Sequence, residues 1–237
     1  MCEFFSLLSD GKGKIYFFDS EMRKKIIDGE TEYETTESHT SIAHYYRFVG
    51  EQEDKLNKWE YDVFTRKLTL DSKGTKLDKD EVLKQCRALD FKTIVPELII
   101  KPIIHPFVDK KCTAIIPEDI ELLTQWNSVR DSVEGSIWDS IGDFVGNPVR
   151  EYVWGSVGSS VWDSDESSIW AIGDPVRGSI WSSIWAYVSS FFSIQYEHDF
   201  SSCIKLWEKG LIPSFDGSVW RLHGYPEGKI IWEGKLK

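Results

Sequence analysis

The sequence predicts an α+β head, a β-solenoid-like tetrapeptide-repeat region and an α/β C-terminal cap, over residues 1–127, 128–192 and 193–237. Three observations lead to this division. Short strand-and-turn runs alternate with capped helical runs at both ends of the chain. Between them a hydrophobic β-branched residue recurs at every fourth position. Six of the 11 tryptophans lie in that same middle stretch.

The head contains two predicted β-hairpins. Apolar residues 2–8 and 15–18 flank a glycine-containing turn, and residues 61–64 and 67–70 repeat the pattern. Prolines break the apolar run 94–107, which is therefore expected to be an extended strap rather than a helix. Four helices are also expected, namely 21–27 capped by Ser20 and ended by Gly29, 42–48 capped by Ser38 or Thr40, 78–89 capped by Asp78, and 118–126 opened by Pro117.

The middle region is an array with a period of four residues. Its unit reads Ser-(Val/Ile)-(Trp/Arg/Gly)-(Asp/Gly/Ser/Ala). The third-slot residues can be exchanged by single-base changes, so the array is expected to have grown by duplication of a twelve-base DNA repeat. The hydrophobic stripe comprises Val129, Val133, Ile137, Ile141, Val145, Val149, Val153, Val157, Val161, Ile169, Val176, Ile180, Ile184 and Val188, with an interruption at Asp165 and a slip near Ile172.

The shape of this array is argued from its period and composition. Four residues of an α-helix turn through about 400°, so the stripe would drift by about 40° in each repeat. Glycine, Pro148 and Pro175 also disfavour a long helix. In a flat strand, the stripe would share a face with the often acidic fourth slot. We therefore predict a solenoid of very short strands with tryptophan, arginine and aspartate outward, and a pair or bundle of helices remains the alternative.

The C-terminal cap is predicted to cover the open end of the solenoid. Residues 200–209 have the pattern of a helix that ends at Gly210. Residues 215–222 form a turn and a strand, and residues 230–232 form a last strand.

Several segments resemble one known family. They are MCEFFSLLSDGKGKIYFFD, SHTSIAHYY, LDFKTIVPELIIKPII, the Ser-Val-(Trp/Arg/Gly)-(Asp/Ala/Gly) array and LWEKGLIPSFDGSVWRLHG. Together they are similar to the tetrapeptide-repeat proteins of bacteriophage and of other microbial or metagenomic sequences. The resemblance covers nearly the whole chain. It implies a phage or prophage origin and an intracellular setting, and it implies no particular activity, substrate or catalytic residue.

The overall composition limits the classes of partner. The net charge is -11, and residues 128–192 hold nine acidic residues, three arginines and no lysine. This balance disfavours direct nucleic-acid binding, whereas an acidic surface with interleaved tryptophans could mimic a nucleic acid. No apolar run suits a membrane span, and no signal peptide begins the sequence. We expect a cytoplasmic protein, in the host cytoplasm if a phage encodes it, with no cofactor or metal and with a protein partner or self-association.

Candidate catalytic and polar sites lie in the head and the cap. Cys2 would become the N-terminal residue after removal of Met1, and an N-terminal cysteine can act as the nucleophile of an amidohydrolase. The other three cysteines are expected to be free thiols in or near the cores. His39 and His44 form one candidate polar site, and Arg221 and His223 near Asp216 form another.

The candidate binding residues occupy the third slot of the repeat. They predict a non-enzymatic interaction or scaffold protein that binds a host or self partner and counteracts a host defence. The alternative is an enzyme or a protein that sequesters a small ligand such as a nucleotide, with its site in the head. The predicted binding residues are Trp138, Trp154, Trp162, Trp170, Trp181, Trp185, Arg130, Arg150 and Arg177.

Overall fold

The computed structural model describes residues 5–162 and 174–236. Within them the fold is mixed α/β, with two small antiparallel sheets. The chain forms two compact units. Unit 1 comprises residues 1–100 and 142–152, and unit 2 comprises residues 101–141 and 153–237. The three-part division into head, array and cap stays a prediction.

Unit 1 is built around a four-stranded sheet in the order β2-β1-β3-β4. Both predicted hairpins are confirmed, since β1 pairs with β2 and β3 pairs with β4, each antiparallel. The strands are β1 (Phe5–Ser9), β2 (Ile15–Tyr16), β3 (Asn57–Asp62) and β4 (Lys67–Ser72). The helices that lie wholly in this unit are α1 (Ser20–Ile27), α2 (His39–Tyr45), α3 (Lys79–Ala88) and α4 (Phe91–Ile94), and a 3₁₀ turn covers Gly50–Gln52.

The N-terminal caps of α1, α2 and α3 lie at or next to the predicted residues, but for α1 and α3 the predicted side chain does not form the capping hydrogen bond. Ser38 caps α2 by accepting a hydrogen bond from the backbone N–H of Ser41 at 3.2 Å. The cap of α1 is Asp19 rather than Ser20, because the Asp19 carboxylate accepts from the N–H of Met22 at 2.9 Å. Asp78 precedes α3 as expected but does not cap it with its side chain.

The carboxylate of Asp78 is instead part of a buried network. It accepts hydrogen bonds from the Ser9 hydroxyl at 2.7 Å, the Gly13 N–H at 2.9 Å and the Asn57 amide at 3.1 Å. The indole N–H of Trp59 also donates to Ser9 at 2.8 Å. These bonds tie the turn of the first hairpin and the start of α3 to the sheet, and they satisfy polar groups that would otherwise be costly to bury.

Unit 2 combines helices with a three-stranded antiparallel sheet in the order β5-β6-β7. Pro117 occupies the first position of α5, and Gly210 ends α9 with a φ of +92°, as the sequence predicts. Strand β5 was not predicted, because it contains Pro213; the proline is tolerated at the edge of a sheet. The remaining elements of the chain are α5 (Pro117–Val129), a 3₁₀ turn (Arg130–Ser132), α6 (Val133–Val145), α7 (Asn147–Trp162), α8 (Asp174–Ser189), α9 (Ser201–Lys209), β5 (Ile212–Phe215), β6 (Trp220–Gly224) and β7 (Lys229–Gly234). Residues 142–145 of α6 and 147–152 of α7 belong to unit 1.

Part of the proline-containing strap belongs to unit 2, where Ile104 anchors it. The backbone N–H of Ile104 donates to the hydroxyl of Tyr187 at 3.1 Å. The carbonyl oxygen of Ile104 accepts from the indole N–H of Trp207 at 2.9 Å. The Tyr187 and Trp207 rings are stacked, with centroids 4.6 Å apart, so both backbone groups of the strap meet one rigid aromatic pair.

The array is helical in the part of the chain that the structure describes. Helices α6, α7 and α8 occupy residues for which short strands were predicted, so a β-solenoid is not what these residues form. The helical alternative is the one observed. Each helix carries four members of the hydrophobic stripe, and every one is at most 1% exposed. They are Val133, Ile137, Ile141 and Val145 in α6, Val149, Val153, Val157 and Val161 in α7, and Val176, Ile180, Ile184 and Val188 in α8.

The drift of the stripe is limited because the helices are short. Over four repeats the stripe turns by about 120°, which still fits a wide buried face. Gly146 then ends α6 with a φ of +80°, a conformation that an L side chain rarely adopts, and α7 starts at Asn147. The break therefore restarts the stripe before it reaches the solvent side of the helix.

Candidate binding surface on the repeat helices

The four slots of the repeat point in four directions around each helix. With about 100° per residue, the third slot lies about 100° from the hydrophobic stripe, the fourth slot about 200° and the serine about 300°. The fourth slot is therefore expected to face solvent, and Asp131, Asp139 and Gly178 are exposed, whereas Ala186 in α8 is fully buried. The serine and third slots flank the stripe, where they contact neighbouring elements.

The serine slot of α8 faces the sheet of unit 2. Ser183 is fully buried, and its hydroxyl lies 3.1 Å from the carbonyl oxygens of both Ser179 and Pro213. The small side chain lets α8 approach β5 closely. One flank of the repeat helix is thus used for packing against the strand.

The third slot of the repeat forms a tryptophan cluster in unit 2, comprising Trp138, Trp154, Trp181 and Trp185. The rings of Trp154 and Trp181 are stacked with centroids 5.2 Å apart, and Trp154 stacks on Trp185 at 6.0 Å. Trp138 meets Trp185 edge to face at 5.1 Å. Helices α6, α7 and α8 each contribute to this cluster, so residues far apart in the sequence meet in one place.

The cluster has a buried base and an exposed rim. Trp185 is only 4% exposed, whereas Trp138 is 37% exposed. Trp154 and Trp181 are partly exposed. The expectation that the third slot is uniformly outward is therefore wrong for Trp185. Trp170 lies outside the described residues, and so does the side chain of Trp162, the last residue of α7.

The arginines of the third slot are not outward either. The guanidinium of Arg130 lies over the rings of Phe215 and Trp220, at 4.4 and 5.2 Å from their centroids. Arg150, in unit 1, is only 5% exposed. Arg177 is partly buried and takes part in further interactions. The described part of the array thus exposes carboxylates to solvent, whereas its arginines are buried or partly buried.

His39 and His44, the candidate polar pair of the head, have different surroundings. Nε2 of His39 lies 3.0 Å from the carbonyl oxygen of Trp59 and 3.5 Å from a carboxylate oxygen of Glu60. Burial lowers the pKa of His39. His44 is exposed, with its Nδ1 3.2 Å from the hydroxyl of Tyr33. The two histidines therefore do not share a hydrogen-bonded site.

Arg221 of the cap is part of an ion-pair network. Its guanidinium lies 2.7 Å from the carboxylates of both Asp216 and Glu233. The pKa of Asp216 is held well below its usual value, chiefly by a hydrogen bond from the backbone N–H of Val219 and next by the hydrogen bond from the Arg221 guanidinium. The expected proximity of Arg221 to Asp216 is thus observed. The two ion pairs join Arg221 on β6 to the turn that contains Asp216 and to Glu233 on β7.

His223 of the cap is fully buried and pairs with a serine that the sequence did not indicate. Its Nδ1 lies 2.9 Å from the carbonyl oxygen of Gly228, which can only accept, so Nδ1 donates. Nε2 is then the acceptor for the hydroxyl of Ser214 at 2.7 Å. Burial lowers the pKa of His223 to about 4. Ser214 is also fully buried, so the pair links β5, β6 and the following turn.

The cysteines of the chain differ in their surroundings. Cys2 lies outside the described residues, and its role as a nucleophile stays a prediction. Cys86 and Cys203 are buried free thiols, and burial raises the pKa of each to about 12, whereas Cys112 is a partly exposed free thiol.

In residues 5–162 and 174–236 no group of histidine, cysteine and carboxylate side chains is arranged to hold a metal ion. None of the described helices combines the length and apolar character that a membrane crossing requires.

Comparison with protein-family models, with curated proteins and with solved structures gave no match.

Proposed function

We propose that this chain acts by binding another protein on the rim of the tryptophan cluster. The observation that carries the proposal is the exposure of Trp138 in a cluster of four indole rings linked by three ring contacts. Tryptophan is the residue type most enriched at the energetic centres of protein interfaces. A rigid ring supported from below loses little conformational entropy on binding.

The charge around the rim favours a basic partner. Asp139 follows Trp138 in the chain and is exposed, and Asp131, whose side chain is 85% exposed, precedes α6 and lies 3.5 Å from the guanidinium of Arg130. Arg130 is held over Phe215 and Trp220 and offers little positive charge to a partner. An arginine or lysine of the partner can meet these carboxylates while its stem or guanidinium covers an indole face. A groove that otherwise binds nucleic acid has this chemistry, so we propose mimicry of a nucleic acid in the counteraction of a host defence.

The repeat supplies a simple route to such a surface. The third slot alternates among tryptophan, arginine and glycine, while the stripe keeps its buried valine or isoleucine. Changes at the exposed or partly exposed third-slot residues Trp138, Trp154 and Trp181 therefore alter ring size and charge at the cluster without altering the buried stripe. This separation of a packing slot from a variable slot suits a binding surface that adapts to its partner.

The partner is sought by affinity purification from lysate of the cells in which the gene is expressed. We expect at least one protein with a basic surface to be retained by the wild type and lost with both Trp138→Ser and Asp139→Lys. Val108→Ser serves as the matched control, because Val108 is a 62% exposed apolar residue elsewhere in unit 2. The proposal fails if every retained protein also binds Trp138→Ser.

A direct measurement uses a short arginine-rich peptide and a glutamate-rich peptide of equal length. The arginine-rich peptide is expected to change the tryptophan fluorescence of the wild type, and added salt is expected to weaken the effect. Trp138→Ser should reduce the change, whereas Val108→Ser should not. An equal response to both peptides would contradict a basic partner.

A further inference from the structure

A line of six aromatic rings in unit 1, which we name the tyrosine ladder, is separate from the repeat. Its rings contact one another in sequence, with each pair of centroids 5.0 to 5.5 Å apart. No sequence pattern indicates it, because its members come from β2, α2 and the loops beside them. In order of contact, the rings are Tyr33, Phe18, Tyr45, Tyr46, Tyr16 and Phe48.

The end of α2 determines which rings face solvent. Ile42 and Ala43 are fully buried, so the following residues lie on the opposite side of the helix, with Tyr45 40% and Tyr46 39% exposed. Arg47 then adopts a left-handed φ of 63°, which turns the chain back. The tyrosines therefore occupy an exposed surface as a result of the local fold.

The exposed rings are held in place by the rings beneath them. The hydroxyl of Tyr46 donates to the carbonyl oxygen of Phe17 at 2.9 Å. Tyr45 packs on Phe18, and Tyr46 packs on Tyr16; both supporting rings are buried. Such a preorganised tyrosine pair gives large contact area at low entropic cost, which favours its use in a protein interface.

Exposed charged residues of opposite sign, Glu32 and Lys14, flank the two ends of the ladder. At the Tyr33 end, the Tyr33 hydroxyl contacts His44, and His44 lies 3.6 Å from the carboxylate of Glu32, whose side chain is 72% exposed. At the Tyr16 end, the ammonium group of Lys14 lies 5.0 Å from the ring centroid, and Lys14 is exposed. A partner of uniform charge would match only one of these ends.

We propose that the tyrosine ladder is the interface of a two-fold symmetric dimer of this chain. A two-fold axis through the Tyr45–Tyr46 centre places Lys14 of each subunit toward Glu32 of the partner subunit, so both ends are matched at once. The exposed tyrosines then cover each other. This proposal is independent of the tryptophan cluster in unit 2.

The test exploits the symmetry of the proposed contact. Sedimentation velocity over a range of concentrations should show a dimer for the wild type. Lys14→Glu and Glu32→Lys should each raise the dimer dissociation constant by about tenfold or more, since each leaves like charges opposed at both ends. The double variant Lys14→Glu/Glu32→Lys should dimerise again, because its charges are exchanged but still complementary.

Mixing gives the sharper result. Neither single variant should dimerise well alone, but an equimolar mixture of Lys14→Glu and Glu32→Lys should form a heterodimer that native mass spectrometry resolves. Lys84→Glu, an exposed charge reversal on α3, is the control and should leave the dimer intact. Tyr45→Ser should weaken every dimer. Circular dichroism confirms that each variant is folded.

A wild type that remains monomeric at all concentrations overturns the proposal. A dimer that is unaffected by Tyr45→Ser, or single variants that form no heterodimer when mixed, overturns it equally. Loss of the tyrosine-ladder dimer would leave the binding measurements on Trp138 unchanged, so the two proposals fail separately.

Discussion

Trp154 and Trp181 lie ring against ring, with centroids 5.2 Å apart and planes within 5° of parallel. Both residues occupy the third slot of the tetrapeptide repeat, one in α7 and the other in α8. Third-slot residues of two different repeat helices thus pack against each other. A sequence feature with a period of four residues becomes a single cluster of side chains in unit 2.

Replacement of Trp185 should destabilise the protein more than replacement of Trp138. Trp185 is 4% exposed and contacts both Trp138 and Trp154, so Trp185→Ala leaves a cavity. We expect a loss of about 3–5 kcal/mol in the free energy of unfolding, measured by urea denaturation. Trp138→Ala should lose distinctly less, because this ring is 37% exposed. Equal losses would show that the cluster is not layered as described.

Glycine substitutions test the helical form of the array. Gly155 in α7 and Gly178 in α8 have free space where a Cβ would lie, and neither has a positive φ. Gly155→Ala and Gly178→Ala should each raise the free energy of unfolding by about 0.5–1 kcal/mol. Gly146→Ala should instead lower it by about 1–2 kcal/mol, because Gly146 has a φ of +80°. Thermal and chemical denaturation of the three variants measures both signs, and destabilisation by all three would argue against helices.

The ion pair of Arg23 and Glu37 should behave as a buried pair. Both side chains are at most 4% exposed, and Glu37 also accepts a hydrogen bond from the backbone N–H of Ser6 at 2.8 Å. Burial raises the pKa of Glu37, and Arg23 opposes this shift. Arg23→Met or Glu37→Gln should each cost about 3–5 kcal/mol, since each leaves one polar partner buried alone.

The double variant Arg23→Met/Glu37→Gln is the control for this pair. It should lose clearly less stability than the sum of the two single losses, because no unpaired charge remains. Additive losses in a double-mutant cycle would mean that the two groups do not interact in solution.

His223 should make the stability depend on pH below neutrality. Its pKa is lowered by burial from 6.5 to about 4, so the unfolded chain binds a proton more readily than the folded chain. Stability is then fully present above pH 6.5 and decreases as the pH falls toward 4, by about 3 kcal/mol in total. Urea denaturation at several pH values should show this decrease in the free energy of unfolding, as a slope against pH.

His223→Gln should remove that part of the pH dependence, whatever its effect at neutral pH. His44→Gln is the matched control, because the side chain of His44 is 55% exposed. A slope that survives in His223→Gln and disappears in His44→Gln would contradict the assignment.

Local signals predicted many of the elements correctly. Ser38 before α2, Pro117 at the start of α5 and Gly210 after α9 act on the backbone within a few residues, so the sequence shows them directly. The two hairpins of unit 1 also arise from short-range pairing. Strand β5 was missed because Pro213 opposes a strand unless it lies at an edge, and only the tertiary fold identifies an edge.

The candidate sites were less predictable than the elements. The third-slot tryptophans were found from the period of four, but their separation into a buried Trp185 and an exposed Trp138 depends on how three helices meet. Ser214 and the tyrosine ladder had no sequence signal, because their partners lie on other strands or loops. Arg130 was expected to be outward and instead lies over Phe215 and Trp220.

The sequence by itself determined the period of the array, the stripe of valine and isoleucine, the acidic charge and the local caps. Only the tertiary structure decided that the described part of the array is helical. In a helix, serine, valine, isoleucine, tryptophan and glycine are each less favourable than alanine, by at most about 1 kcal/mol per residue. Complete burial of a valine or isoleucine in each repeat of α6, α7 and α8 contributes about 1.5–3 kcal/mol per residue, so packing outweighs propensity.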